Sequence, residues 1–529
     1  MLRNKLFTGA LLCSAALLSI GRVEASDFAQ KVKAIDYVKV CSVYGAGFYY
    51  IPGTDTCIKL GGYIRVAMAV NGNGIGIGNY NGPGGAHNQY SNGYHWRSRA
   101  RVDFDTRTNT DYGVVRTFTR FVHTWTDDNY AGTGNGTTIY GGGLANNAVA
   151  GGVAAGTVGL YAAFIQFAGF TMGHGHSQFS APWDAYPANI FDGLVGGSNM
   201  NTGVNMAYYT FEFGKGNEAS IGIQEPTSIL QSGLYNANAA TVASPYGVSN
   251  YGGTTYPDIV GMVRTDQNWG LVQASVASHN NSTAYYGGTY LDGTTIPYSG
   301  TELAGHPSDK LGWAAQLAVS IKNIPTGPGD HINAQAVYTS GATRYNIQEL
   351  GSSAASITDF GRTNVPGLYQ SVGYGFAPDS IYGVMPDGTK SGQQLVSTWG
   401  GRIGYMHNWN NYWNTGFYGA FAKISYTDTA KTLICGNGTA SYKGSFRSML
   451  NADLTHCDPD YTFTQVGIDV NWIPVKNLMF SADFTYNMLN QNMAGSVQTG
   501  SAAIGKPTTG YELRDQNTWV GYLRVQRTF

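Results

Sequence analysis

Charge is scarce in this chain: of 529 residues only 12% are Asp, Glu, Lys or Arg. A water-soluble chain carries roughly 25%, so much of this surface is expected to face something other than water. Neither sign dominates, with 31 basic and 32 acidic residues, which offers no footing for nucleic-acid binding. Cysteine is rare, and no Cys-x-x-Cys or His-x-x-x-His spacing supports zinc or another resident metal. No Gly-x-Ser-x-Gly occurs, and no Ser, His and Asp set is fixed in place, so an enzyme is not expected. Residues 500–507, GSAAIGKP, fit a phosphate loop only until Pro507 stands where Ser or Thr is needed. No cofactor is expected.

Long apolar runs are few as well. Leu6 to Ile20 follows Arg3 and Lys5 and precedes Val23-Glu24-Ala25, the pattern of a secretory signal over residues 1–25. The competing reading, a membrane anchor, needs roughly 20 apolar residues, more than the run supplies. Residues 148–170, AVAGGVAAGTVGLYAAFIQFAGF, are uncharged and long enough for a spanning helix. Their glycines, and their place between a loop and a strand, favour a strand instead. Removing residues 1–25 leaves 28 basic against 31 acidic groups, a net charge of −3. It also removes Cys13 and leaves an even set, Cys41, Cys57, Cys435 and Cys457. In an exported chain that set suggests two disulfides, and the close spacings make Cys41–Cys57 and Cys435–Cys457 the simplest of three pairings.

What the chain has in abundance is glycine, 73 residues, and tyrosine, 37, which with Asn and Thr favour strands and turns. Segments of alternating character recur between Gly, Asn and Pro clusters. In KLGWAAQLAVSIK, Leu311, Trp313, Leu317, Val319 and Ile321 share one side, opposite Lys310, Gln316, Ser320 and Lys322. YTFTQVGIDVNW, LMFSADFTYNM and CIKLGGYIRVAMAV repeat the pattern. These segments are strands with one oily and one wet face. The alternation predicts about sixteen: 57–70, 94–107, 112–124, 159–168, 170–178, 204–214, 218–226, 257–267, 269–280, 309–322, 331–341, 397–408, 412–428, 461–473, 478–491 and 517–529. Short links, such as 108–111 and 474–477, alternate with long ones, such as 71–93 and 342–396. A β-sandwich has no need of that rhythm, whereas outer-membrane barrels combine tight periplasmic turns with large external loops. The expected fold is all-β: a transmembrane antiparallel β-barrel, closed so that no backbone edge faces lipid, and wide enough for an aqueous channel.

The stretch HWRSRARVDFDTR places Arg97, Arg99, Arg101, Asp103, Asp105 and Arg107 on one face, with Trp96, Ala100, Val102 and Phe104 on the other. An outward arginine near mid-membrane costs roughly 2–4 kcal/mol, so three would cost about 6–12. They are expected to line the interior. In TDYGVVRTFTRF, Arg116 and Arg120 share a parity and join them, and Arg65 completes a basic arc on the wall. The plainer alternative for any one arginine is a solvated position near a rim.

These residues also carry a resemblance. DYVKVCSVYGAGFYYIPGTDTCIKLGGYIRV, residues 36–66, resembles the opening of the alphaproteobacterial general porins, and WRSRARVDFDTRTNTDYG resembles their second strand and first turn. FIQFAGFTMGHGHSQF, residues 164–179, is similar to the family segment before the third loop, and VGYLRVQRTF resembles its ending. The resemblance implies a homotrimeric outer-membrane porin whose third loop folds into the lumen and constricts it. That loop is expected at residues 180–203, where Asp184 and Asp192 can face the arginines. The alternative is that both aspartates merely cap turns. Phe529 ends an outward apolar face with Leu523 and Val525, which in that family is read by the outer-membrane assembly machinery. His174 and His176 are expected to be surface or lumen histidines rather than metal ligands.

The expected organisation is a signal at 1–25, an N-terminal periplasmic segment at 26–56 and a barrel over 57–529 with long external loops. The expected function is passive diffusion of small hydrophilic solutes and ions across the outer membrane. The partners would be outer-membrane lipid and lipopolysaccharide, with no nucleic acid. A structural barrel or adhesin explains the long loops equally well but assigns no role to the arginine arc.

Overall fold

A computed structural model describes residues 39–71, 83–89, 91, 93–126, 157–183, 186–190, 192–197, 202–290, 293–347, 356–361, 370–437 and 443–529. The expected signal, residues 1–25, lies outside them, as do Asp184 and residues 148–156 of the apolar run.

Sixteen strands form the barrel: β1 Thr56–Val70, β2 Tyr94–Thr110, β3 Gly113–Thr126, β4 Thr157–Phe167, β5 Phe170–Gly175, β6 Val204–Gly214, β7 Asn217–Gln224, β8 Asp258–Gln267, β9 Gly270–Asn281, β10 Lys310–Lys322, β11 His331–Ser340, β12 Ser397–Asn408, β13 Trp413–Ser425, β14 Tyr461–Val475, β15 Leu478–Gln491 and β16 Gln516–Thr528. Each pairs antiparallel with the next in sequence, and β16 returns to β1, with Val66 opposite Val525. All the segments expected from alternation are present. Two strands end three residues early: β13 at Ser425 rather than 428, and β5 at Gly175 rather than 178, where Ser177 turns the chain inward and its hydroxyl accepts from the Phe179 N–H at 3.1 Å.

Alternation fixes the two surfaces. Leu60, Ile64, Trp96, Leu317, Ile403, Phe417, Ile468 and Phe484 are all more than a third exposed on the outer face. Gln273, Thr339, Arg402, Gln465 and Thr485, on the opposite parity, are buried inside. An apolar outer face with a polar interior is the inverse of a soluble core, and closure satisfies every strand edge that hydrocarbon would leave unpaired. No helix among the described residues is long and apolar enough to cross a membrane, and a barrel needs none.

Short turns gather at one end of the barrel. Ala168-Gly169 and Lys215-Gly216 link their strands with both residues at positive φ, the geometry that matches strand twist. Both ends of the barrel sequence lie there too, where Phe529 exchanges backbone hydrogen bonds with Gly62. Beyond that point β1 loses β16 as a neighbour, and the two-residue strand Tyr49–Tyr50 pairs with Cys57 and Ile58 instead. The Cys41–Cys57 disulfide, Cα–Cα 6.1 Å, ties this segment down.

The long connections at the other end fold into a cap. Leu234–Asn236, Val248–Ser249, Ser380–Tyr382 and Gln394–Leu395 make one small sheet. Ser356–Phe360, Ser371–Phe376, Asp453–His456, Ala494–Ser501 and Lys506–Leu513 make another. Two short helices, α1 Asp428–Cys435 and α2 Gly444–Leu450, pack beside them, with Thr427 capping α1 by accepting from the Ala430 N–H. Cys435–Cys457, Cα–Cα 5.9 Å, ties the end of α1 to the chain just after Asp453–His456, with α2 inside the closed segment. Tyr246, Tyr374, Phe376, Tyr426 and Phe446 form the aromatic centre of the cap, fully buried or nearly so.

Candidate functional site

The interior carries a wall of arginines on β1–β3. Register sets Arg65 opposite Arg99, Tyr63 opposite Arg101, Asp103 opposite Arg120 and Arg107 opposite Arg116. These residues share one parity, the inward one. Within that wall the charges divide by height. Toward the turn end, Arg120 grips Asp103 through Nε at 2.9 Å and Nη2 at 3.2 Å, and Arg101 reaches the same carboxylate at 3.0 Å. Arg116 grips Asp105 at 2.9 and 3.0 Å, and Arg107 reaches Asp105 at 3.1 Å. Two-pronged guanidinium–carboxylate pairs fix both position and plane.

Toward the loop end three further arginines bond uncharged side chains. Arg65 donates to Gln526 Oε1 at 2.8 Å, Arg97 to Thr126 Oγ1 at 3.0 Å and Arg99 to Thr124 Oγ1 at 3.0 Å. Aromatic rings brace them: Tyr63 lies between the Arg65 and Arg101 guanidiniums, at 4.5 and 4.8 Å, and Arg99 stands 5.9 Å from the Tyr161 ring. Asp103 and Asp105 belong to the site as much as the arginines do, and their shared parity in the sequence was the signal for that.

The loop after β5 lies inside the barrel, against the wall opposite this arc. Gln273 and Gln316 donate to the Phe179 carbonyl at 3.2 and 2.8 Å, and Asn333 donates to the Pro187 carbonyl at 3.0 Å. Gln465 accepts from the Val195 N–H at 2.8 Å and donates to the Gly193 carbonyl at 3.1 Å. Arg402 donates to the carbonyls of Val195, at 3.1 Å, and Gly197. Arg524 donates to the Ile190 carbonyl, while Asp483 accepts from the Ile190 N–H at 3.2 Å. Two inward glycines make room for the loop: a Cβ on Gly404 would meet Ala188 at 2.6 Å, and one on Gly416 would meet the Ala188 carbonyl oxygen at 2.0 Å. Sequence reasoning did not find the anchors of this loop, since Gln465, Arg402 and Arg524 are separated from it by long stretches of chain.

Asp192 accepts a hydrogen bond from the Tyr186 hydroxyl. It stands within electrostatic reach of Arg99 and Arg524, and Tyr186 within reach of Arg65 and Arg524. Asp192 therefore lies on the arginine side of the interior, while Asp184 lies outside the described residues. An open cavity of about 760 Å³ continues the interior toward the turn end, lined by Arg107, Arg116, Gln166, Glu218 and Arg264 among others. Arg264 and Glu218 form a further inward ion pair at 2.8 Å.

The two histidines do not come together as ligands. His174 bonds Asn205 at 3.1 Å and the Thr202 carbonyl at 2.7 Å, whereas His176 lies beyond the end of β5. No group of three metal-ligating side chains occurs among the described residues. Phe529 is 60% exposed on the outer face at the turn end.

The porin subfamily profile matches residues 28–522. Porin Omp2a of Brucella melitensis is 30% identical over 272 residues, 50% of this chain and 64% of that protein. Porin Omp2b of Brucella abortus is 29% identical over 271 residues, 50% of this chain and 63% of that protein. The matched region thus spans just under two thirds of these relatives. Among solved structures, the outer membrane channel DcaP of Acinetobacter baumannii aligns with a TM-score of 0.49 at 12% identity, covering 91% of this chain and 99% of that one. The anion-selective porin of Comamonas acidovorans aligns at 0.41 and 10%, covering 90% and 100%.

Proposed function

The chain belongs to the porin family, and from that premise we propose that it is a passive diffusion channel for small hydrophilic solutes and ions across the outer membrane. The observation that carries this is the opposition, across the barrel interior, of the Arg65–Arg99 wall and the Tyr186–Asp192 unit of the inward loop. Opposed charges across a narrow water path create a transverse field, which orients dipolar solutes and sorts ions by sign and size. No bond is made or broken, so the residues act as pore-lining and constricting groups rather than catalysts. Purified protein in a planar bilayer should give large, stable conductance steps at neutral pH. An adhesin or purely structural barrel would give none, and that result would overturn the proposal.

The assembly is a homotrimer in this reading. A tilted strand needs about 9–11 residues to cross a membrane, yet β5 has 6 and β7 has 8. Around β5 the outer face carries Phe170, Met172, Phe211 and Phe213, all exposed by 45% or more. Covering this low wall with neighbouring copies removes it from lipid. A charge placed there, such as Phe211→Asp, should release monomers on non-denaturing gels while the barrel persists. Residues 26–56 are assigned to the periplasmic side together with the turns, and Phe529 to recognition by the assembly machinery. Lipopolysaccharide is assigned to the opposite leaflet.

A further inference from the structure

On the outer wall of β13–β16 and β1, the regular apolar surface gives way to a hollow of about 470 Å³. Its floor is Ala482, a small residue between Val470 on β14 and Leu523 on β16. Trp472 and Phe480 form its step toward the turn end, their rings 5.2 Å apart, and Trp413 stacks on Trp472 at 6.0 Å. Smooth barrel walls need no such recess, and voids lined on one side only forfeit dispersion contacts.

Directly below it toward the turns, the outer face changes chemistry. Arg527 follows Val525 on the same face, opposite Leu478, and donates through Nη1 to the Lys476 carbonyl in the β14–β15 turn. Both Arg527 and Lys476 are exposed, and neither enters an ion pair among the described residues. An apolar recess capped at its membrane-surface end by a tryptophan pair and two adjacent cations matches one kind of molecule: an acyl chain ending in an anionic headgroup. The turns of outer-membrane barrels face the periplasm, so the leaflet concerned holds glycerophospholipid.

We propose that this recess is a binding site for an anionic glycerophospholipid of the periplasmic leaflet. One acyl chain lies over Ala482, and the phosphate sits between Lys476 and Arg527. The site rests on the outer-membrane orientation of the barrel but not on its conducting ions, so the two readings fail separately. Each basic group near a bilayer surface strengthens anionic-lipid binding by roughly fivefold. The test is native mass spectrometry of the intact protein in detergent, titrated with phosphatidylglycerol and, separately, phosphatidylcholine. One phosphatidylglycerol per barrel should be retained well above phosphatidylcholine. Lys476→Gln with Arg527→Gln should weaken that retention by about 25-fold, and Ala482→Phe, which fills the recess, should abolish it for both lipids. Conductance measured alongside should stay at the wild-type value in every variant, which also certifies folding. Equal retention of the two lipids, retention unchanged by the variants, or protection of the recess by a second copy in cross-linking would overturn the assignment.

Discussion

Gln465 offers the sharpest test of how the inward loop is held. Its side chain is fully buried; it accepts from Val195 N–H at 2.8 Å and donates to the Gly193 carbonyl at 3.1 Å and to Asn487 at 2.8 Å. Replacing it with alanine leaves at least two loop backbone groups without partners in a space closed to water. Each such group costs about 1–3 kcal/mol, so the docked loop should lose roughly 2–6 kcal/mol locally. At 3 kcal/mol the balance between docked and released forms moves by more than a hundredfold. Arg402, Arg524 and Asn333 still hold neighbouring points, so the release should be confined to residues near Gly193–Val195. Single-channel recordings of Gln465→Ala should accordingly show higher mean conductance and rapid flicker, while the heat-stable gel mobility of the folded barrel is retained. Gln465→Glu can still accept from Val195 but, when ionised, cannot donate to Gly193, so it should fall between. Traces of the alanine variant that superimpose on the wild type would refute the claim that this amide positions the loop.

Three further outcomes are expected. Replacing Arg97, Arg99 and Arg101 by Ser removes three charges from the water path; a unit charge about 5 Å away is worth about 0.8 kcal/mol in water before screening. The cation-to-anion permeability ratio should therefore rise at least about tenfold, and an unchanged reversal potential across a salt gradient would remove these residues from the pore. Replacing Cys435 and Cys457 by Ser opens a loop of sequence separation 22 and should cost the cap about 3 kcal/mol, seen as new protease cleavage within residues 428–460 while the barrel stays intact. At the turn before β11, burial would push the Asp330 carboxyl up, but hydrogen bonds from Thr326, the Asn408 N–H, His407 and Tyr405 hold it well below the usual carboxylate range. A depressed folded value stabilises above the unfolded value near 4 and is lost as pH falls through the folded one. Asp330→Asn should therefore lower the thermal midpoint at neutral pH, with the deficit shrinking only in strong acid; a deficit independent of pH down to that range would contradict it.

Most of the barrel was legible because two periodicities coincide. A strand repeats every two residues, and in this chain nearly every strand meets hydrocarbon on one side, so oily and wet residues alternate without the ambiguity of a two-sided core. The arginine wall was legible for the same reason, since an outward Arg97, Arg99 or Arg101 is too costly. Alternation says which side is inside but not what fills the inside. Gln273, Gln316 and Gln465 read only as wet positions, yet each is buried and bonded to the loop backbone. The cap was hidden for a different reason. Its strands are as short as two residues and its aromatic centre draws on several loops, so no single stretch carries enough pattern to declare it.

The residue types on the inward faces bear on where water would run in the proposed channel. The inward loop and the cap share a continuous apolar core with β13–β16, through Ile190, Leu194, Tyr418, Ala422, Phe463 and Tyr522. That part of the interior is filled. In the proposed channel water is left with the side along β2–β8, and there the inward faces carry the paired charges: Arg101 and Arg120 with Asp103, Arg116 and Arg107 with Asp105, Arg264 with Glu218. On β9–β11 the buried inward positions are mainly amides and hydroxyls, such as Gln273, Ser275, Gln316, Ser320, Asn333 and Thr339. Burying an ion costs far more than burying an amide that finds a partner, and the ions that are buried where the loop docks are held by its backbone: Arg402 and Arg524 donate to its carbonyls and Asp483 accepts from the Ile190 N–H. The partly exposed ion pairs of β2, β3, β7 and β8, set against the filled interior of β13–β16, favour an off-centre water path in the proposed channel.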